Sequence, residues 1–251
     1  MIVHFVGAGP GDPELLTVRA ARMLAQARIC IFAGSLVSPA VLELLAPDCE
    51  RHDSAALDLA QTLEICAKAK SRELDVVRLH SGDPSIYGAI REQMEGLDAL
   101  GIPYDVTPGV SAFQASAAAL CAELTVPEKS QTIVLSRTKG RTPMPEYQDL
   151  PHLAALKATL CLYLSAHNVR EVAEELAPFY GADCPAAVVE KASWPQQRIL
   201  RGTLADIGSQ AEAAGIRATA LVLVGQALGR GHGASRLYAS DFSHGFREGQ
   251  P

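Results

Sequence analysis

The chain has 251 residues, 48% hydrophobic and 20% charged, with a formal net charge of -6 and a pI near 5.6. That balance predicts a soluble globular protein with a sizeable core, and the acidity, with only 5% aromatic residues, argues against a nucleic-acid binder. No apolar run is long enough to span a bilayer and no basic stretch leads into an apolar one at the N-terminus, so neither a membrane span nor a signal peptide is expected.

In chain order, residues 1–6 are an apolar run predicted as a strand. It breaks into Gly7-Ala8-Gly9-Pro10-Gly11-Asp12-Pro13, and a helix is expected over 14–27 with Leu16, Ala20, Met23, Leu24 and Ala27 on one face. The glycines permit a sharp turn and the close approach of a ligand. Their spacing is not the dinucleotide fingerprint G-x-G-x-x-G. The third fingerprint position is Asp12, a carboxylate that repels pyrophosphate at a helix N-terminus. Two readings of Asp12 stand: the cap of the helix, with Pro13 in its first turn, or part of a loop for a ligand without phosphates. A second strand, 28–33, ends in Ala33-Gly34-Ser35 and offers no acid for a ribose, which further opposes a nicotinamide-dependent dehydrogenase.

A helix over 40–45 follows, then a short segment ending at 52–54 that caps a helix over 55–70. A third strand, 75–80, runs into Ser81-Gly82-Asp83-Pro84-Ser85-Ile86-Tyr87-Gly88, and a helix continues to residue 100. A short strand at 104–106 gives way to Thr107-Pro108-Gly109-Val110-Ser111-Ala112. Three strand exits, at 7–13, 81–88 and 107–112, thus carry small residues. In an open, mostly parallel sheet such exits share one edge, where ligands bind.

Residues 113–125 form an Ala-rich helix that bridges to a second half. There, strands are expected at 132–136, 159–165, 186–190, 198–201 and 220–225, with a helix at 168–179. The short connection between 190 and 198 argues for antiparallel pairing. The expected fold class is α/β, in one large domain or two small ones, with a first half over 1–115 around a mostly parallel sheet, a second over 116–230 around a mixed, largely antiparallel one, and a mobile tail at 231–251. Six cysteines lie far apart, with no C-x-x-C and no metal-ligand spacing. They read as free thiols in a reducing compartment, the cytoplasm, and no metal site is expected.

The glycine loops together resemble the signature blocks of the tetrapyrrole methylases: Gly7 to Pro13 with Leu16-Thr17, Gly82-Asp83-Pro84 with Tyr87-Gly88, and Pro108-Gly109-Val110-Ser111. The resemblance covers residues 1–228. Within the family, Gly34-Ser35-Leu36-Val37-Ser38, His80 to Pro84, Gly140-Arg141-Thr142-Pro143-Met144-Pro145-Glu146 and Lys191-Ala192-Ser193-Trp194-Pro195 are similar to the group that methylates C-11 of precorrin-4 in cobalamin biosynthesis. The resemblance implies two domains with a cofactor trough between them and a homodimer. It implies S-adenosyl-L-methionine as methyl donor, S-adenosyl-L-homocysteine as product and a tetrapyrrole as small-molecule substrate, metal-free or cobalt-loaded.

By the same resemblance, cofactor contacts fall on Pro10, Ser81, Gly82, Asp83, Ile86, Ser111, Ala112, Leu164 and Ala192, and on Thr219 and Ala220. Asp83 has two readings, as a partner of the ribose hydroxyls or ammonium group, or as the residue that orders its own turn. Leu164 is either apolar wall for adenine or core. The ring carries carboxylates, and residues 129–141 hold Lys129, Arg137, Lys139 and Arg141 with no acid. Arg137, Lys139 and Arg141 are therefore candidate substrate ligands, the alternative being a solvated basic loop. No His–carboxylate pair or nucleophile–base spacing marks an acceptor for the departing proton. His80 reads either as a base or as a buried, hydrogen-bonded histidine, and no catalytic residue is assigned. A binder that keeps the cleft without catalysis is the remaining alternative.

Overall fold

The first apolar run is a strand, β1 (Val3–Gly7), but the helix expected after it is divided. Asp12 caps a single 3-10 turn, Pro13–Leu15, by accepting the Glu14 amide at 2.9 Å. Leu16 then turns extended, and Thr17 caps α1 (Val18–Gln26) by accepting the Ala20 amide. The remaining elements of the N-terminal half are β2 (Ile29–Phe32), α2 (Pro39–Leu42), β3 (Glu50–Asp53), α3 (Leu59–Ser71), β4 (Val76–His80), α4 (Ile90–Ala99), β5 (Tyr104–Thr107) and α5 (Ala112–Ala119). In the computed structural model, residues 1–140, 142–229, 231, 235, 239–248 and 250 are described. They divide into two units, Met1–Ala115 with Lys191–Gln197, and Ser116–Glu190 with Arg198–Pro251.

The first unit holds a five-stranded sheet in the order β3-β2-β4-β1-β5, every pair parallel. The connections place helices on both faces. Val6, Val77 and Leu79 pack with Ala20 and Leu24 of α1 and Val41 of α2 on one face. Val3, Phe5 and Ile31 pack with Cys66 and Ala69 of α3 and Leu97 of α4 on the other. Strand β3 has no counterpart among the strands expected from the sequence. Its Glu-Arg-His-Asp run is a largely exposed edge strand with no apolar alternation. Asp53 caps the 3-10 turn Ser54–Ala56, and the long helix expected at 55–70 begins only at Leu59, where Asp58 and Gln61 form a capping box.

The second unit contains β6 (Ile133–Arg137), α6 (Leu150–Ala154), β7 (Thr159–Tyr163), α7 (Val169–Tyr180), β8 (Pro185–Glu190), β9 (Arg198–Thr203), α8 (Ile207–Ala213) and β10 (Ala220–Val224). Its sheet runs β6-β7-β10-β8-β9, with β6 and β7 parallel and the other three pairs antiparallel. Leu160, Leu162, Leu176, Val188 and Val222 centre its core. The α/β class with one parallel and one mixed, largely antiparallel sheet is therefore as the strand spacing predicted. In the tail, His244 and Arg247 form a bridge, and the Arg247 guanidinium donates to the Ala239 and Phe242 carbonyls. The tail's other expected features, in part, and Arg141 lie outside the described residues. Among the described residues no helix is long and apolar enough to cross a membrane.

Candidate functional site

In the first sheet the chain leaves β1 toward β2 and β4 toward β5, in opposite directions, with α1 and α4 on opposite faces. β1 and β4 are neighbours, so their carboxyl ends open a crevice at the topological switch point. The loops after both strands border it and are stitched together. Gly9 and Gly82 exchange backbone hydrogen bonds at 3.2 and 2.8 Å, and the Ala8 amide donates to the His80 carbonyl at 2.7 Å.

The third loop closes in from β5. A side chain on Gly7 would place its Cβ 2.6 Å from Gly109 Cα and 2.7 Å from the Gly82 carbonyl, and one on Gly109 would lie 2.2 Å from that carbonyl. Three backbones interlock there, and only glycine fits. From Gly82 the distances a Cβ would make to Ser111 Cα and Ala112 N are both 3.6 Å, ordinary contact. Pro10, Ser81, Gly82, Asp83, Ser111 and Ala112 thus belong to one cluster of loops in the first unit. Ile86 closes the Asp83 turn, its amide donating to the Asp83 carbonyl at 3.2 Å.

Asp83 ties two of these loops. Its Oδ1 accepts the Ser85 amide at 2.8 Å and the Ser85 hydroxyl, and its Oδ2 accepts the Gly109 amide at 3.0 Å. Burial pushes the carboxyl upward, but the Ser85 hydroxyl and the two amides outweigh it and hold Asp83 below the usual range, so it is ionised near neutral pH. The role in ordering its own turn is visible; Oδ2 keeps acceptor capacity beside it. Asp53 makes a similar bond, accepting the Gly34 amide at 2.9 Å, and its carboxylate fills the space that a side chain at position 34 would need.

His80 is buried, and its Nε2 has no hydrogen-bond partner. Burial, helped by the Arg78 guanidinium, pushes it down to about 3. It is neutral near pH 7 and a weak proton acceptor. The expectation of a hydrogen-bonded imidazole is not met at Nε2.

The segment between β8 and β9, expected to supply the cofactor contact Ala192, also holds the chain's single tryptophan, for which no contact was expected. Residues 191–197 belong to the first unit. There Trp194 Nε1 donates to the Pro10 carbonyl at 2.8 Å, and Ser193 Oγ accepts the Asp12 amide at 3.0 Å. Ala192, the cofactor contact expected in this segment, is buried.

Leu164, Thr219 and Ala220 belong to the second unit, as do Arg137 and Lys139. The exits of the parallel pair β6 and β7 and the start of antiparallel β10 fall on one edge of that sheet, and this edge gathers all five. Leu164 is not core. It lies past β7 with φ 54° and is 65% exposed, held between Tyr163 and a buried Ser165. Thr219 also has positive φ, 51°. Arg137 is engaged by its own loop, donating to the carbonyls of Thr138, Thr142 and Pro143, the last at 2.6 Å. Lys139 is exposed.

The arrangement after β1 does not suit a pyrophosphate. The 3-10 turn separates the loop from α1, the hydroxyl of Thr17 occupies the amide of Ala20, and Ser193 occupies the amide of Asp12. It suits a ligand without phosphates that lies against bare glycine backbone beside an ionised carboxylate.

Comparison with known proteins agrees. The family described as Tetrapyrrole (Corrin/Porphyrin) Methylases matches residues 2–208. A precorrin-4 C(11)-methyltransferase of Pseudomonas aeruginosa is 49% identical over 251 residues, covering 100% of both chains. Among solved structures, a cobalt precorrin-4 methyltransferase of cobalamin biosynthesis is 39% identical, with a TM-score of 0.88 over 91% of this chain and 96% of that one. A uroporphyrin-III C-methyltransferase of Thermus thermophilus, complexed with S-adenosyl homocysteine, is 28% identical, with a TM-score of 0.75 over 91% and 93%. With the fold, the three interlocked glycine loops and a match that spans most of its length, this chain belongs to the tetrapyrrole methylases.

Proposed function

We propose that the protein transfers a methyl group from S-adenosyl-L-methionine to C-11 of precorrin-4 in cobalamin biosynthesis. The observation that carries this reading is the glycine-lined crevice between β1 and β4, with ionised Asp83 joining its loops. The residues fit the donor: Gly7 and Gly109 let the three loops close on one another, Gly82 is left with ordinary contacts only, and a carboxylate suits a cation without phosphates. When bound, S-adenosylmethionine supplies a methyl group already activated on a sulfonium.

The chain's own work is then binding and alignment. Pro10, Ser81, Gly82, Asp83, Ile86, Ser111, Ala112 and Ala192 are the proposed donor contacts in the glycine loops and the segment clasped to them, and the family resemblance adds Leu164, Thr219 and Ala220. Alignment of two reactants can supply on the order of 7–11 kcal/mol of the acceleration. Lys139 and Arg141 are proposed to bind ring carboxylates directly, and Arg137 to hold the loop that carries them. Neutral His80 leaves the proton acceptor unassigned.

A cobalt-loaded ring is the second reading, favoured by the structural likeness to a cobalt precorrin-4 enzyme. The proposal includes a cytoplasmic location, supported by six free cysteines, and a homodimer, supported by the family resemblance and checked by sedimentation equilibrium.

Incubation with S-adenosylmethionine and either metal-free or cobalt-loaded precorrin-4, followed by mass spectrometry, tests the function. Gain of one methyl identifies the substrate. No gain with either ring, in protein that binds S-adenosylhomocysteine by calorimetry, leaves a binder. Binding of NAD in place of the methionine derivatives overturns the reading.

A further inference from the structure

We infer that Trp194 is a positioning residue for the methyl donor: it holds the Pro10–Gly11 backbone of the first glycine loop in the shape that receives the ligand. This rests on the proposed assignment of that loop to the cofactor.

Adjacent antiparallel strands such as β8 and β9 are commonly joined by two to five residues. Here residues 191–197 intervene, and they take up conformations that L-residues avoid, with φ 47° at Lys191 and 68° at Ser193. The strained segment is anchored at both ends of the same short stretch of loop. Trp194 Nε1 donates to the Pro10 carbonyl at 2.8 Å, and Ser193 Oγ accepts the Asp12 amide at 3.0 Å. Between those two bonds lies Gly11, at φ 151°, where a Cβ would come 2.1 Å from the indole. The ring therefore occupies the side-chain space of Gly11, and the segment itself is braced by the Ser193 amide donating to Gln197 Oε1 at 2.7 Å.

Such a clasp does not have to touch the ligand to matter. Pro10 and Gly11 sit in a loop that must present its backbone at close range. Freezing that loop before binding removes an ordering cost that would otherwise fall on the ligand's affinity. The indole hydrogen bond and the ring's bulk act separately, so phenylalanine at this position keeps most of the packing and loses only the bond.

The single tryptophan also makes the clasp observable, because all indole emission of the protein comes from position 194. Lys191 Nζ lies 5.7 Å from the ring centroid, so the ring already senses local charge.

The experiment titrates S-adenosylhomocysteine into the wild-type chain by calorimetry and by tryptophan emission, then repeats the calorimetry with W194F and W194A. Thermal unfolding accompanies each variant. The expected result is an emission change that saturates with the calorimetric affinity. W194F should weaken binding about five- to tenfold, the worth of one hydrogen bond. W194A should weaken it further, and W194F should act mainly by raising KM for the donor rather than by lowering kcat. Wild-type affinity in a folded W194F, with emission unmoved by ligand in the wild type, overturns the positioning role. Absence of calorimetric binding to the wild type overturns the cofactor assignment and this inference with it.

Discussion

Asp83 joins two loops with one ionised side chain, and its replacement separates structural from electrostatic effects. Asn at this position can still accept the Ser85 amide but loses the charge. The expected outcome of D83N is S-adenosylhomocysteine binding weaker by about tenfold, with stability lowered by about 1–3 kcal/mol, read by calorimetry and urea unfolding. His80 makes a prediction of opposite character. Its folded value is about 3 against an ordinary 6.5. Between those pH values the unfolded chain takes up a proton that the folded chain refuses, so this group lowers stability as pH falls through the window and contributes no pH dependence above it. The slope reaches about 1.4 kcal/mol per pH unit. Comparing H80Q with the wild type by urea unfolding at about pH 7 and about pH 5 should show the acid loss reduced in the variant; equal losses would mean that His80 takes up its proton in the fold.

At the scale of elements, the exits of β6 and β7 are organised by a small buried network. The Thr138 amide donates to Ser165 Oγ at 3.1 Å, and Ser165 Oγ donates to the Tyr163 carbonyl at 2.7 Å. Arg137 extends this order to the backbone carbonyls of Thr138, Thr142 and Pro143. Residues 129–141 read equally well as substrate ligands or as a solvated basic loop from sequence, because a guanidinium's partner can be any carbonyl the fold brings near. The expected consequence is that R137K fails to restore what R137A loses, since one ammonium does not reproduce the fork that reaches several carbonyls. Both variants should raise KM for the tetrapyrrole about tenfold, of the order of one charge-assisted contact, whereas loss of effect in R137K would indicate a simple charge contact. The division of the expected first helix has a comparable cause. Helical periodicity continues through Leu16 and Thr17, but Thr17 is a better cap than helix interior, and the chain takes the cap.

For the whole molecule, ligand linkage gives the most direct measurement. S-adenosylhomocysteine at about a hundredfold excess over its Kd should stabilise the native chain by about 2.7 kcal/mol and raise Tm, whereas NAD at the same concentration should not. A reductant should leave Tm unchanged, because the six cysteines are free. Burial pushes Cys30 up to about 12 and Cys66 up to about 11, which keeps these thiols unreactive.

The two α/β halves, most of the strands and the three glycine loops were legible in the residues alone, because apolar runs and glycine-rich breaks are local signals that survive without neighbours. The sequence also carried the resemblance that named the family. Tertiary structure decided what those residues touch. Only the strand order placed β1 beside β4 and made a crevice of their exits, and only the packing of Gly7 and Gly109 against the Gly82 carbonyl explained why those two positions lack side chains. Leu164 became an exposed residue, Arg137 a brace for its own loop and His80 a neutral buried ring. Trp194 met Pro10 from 184 residues away. Contacts of that range depend on how strands are ordered and loops returned, and no local pattern of residues encodes them.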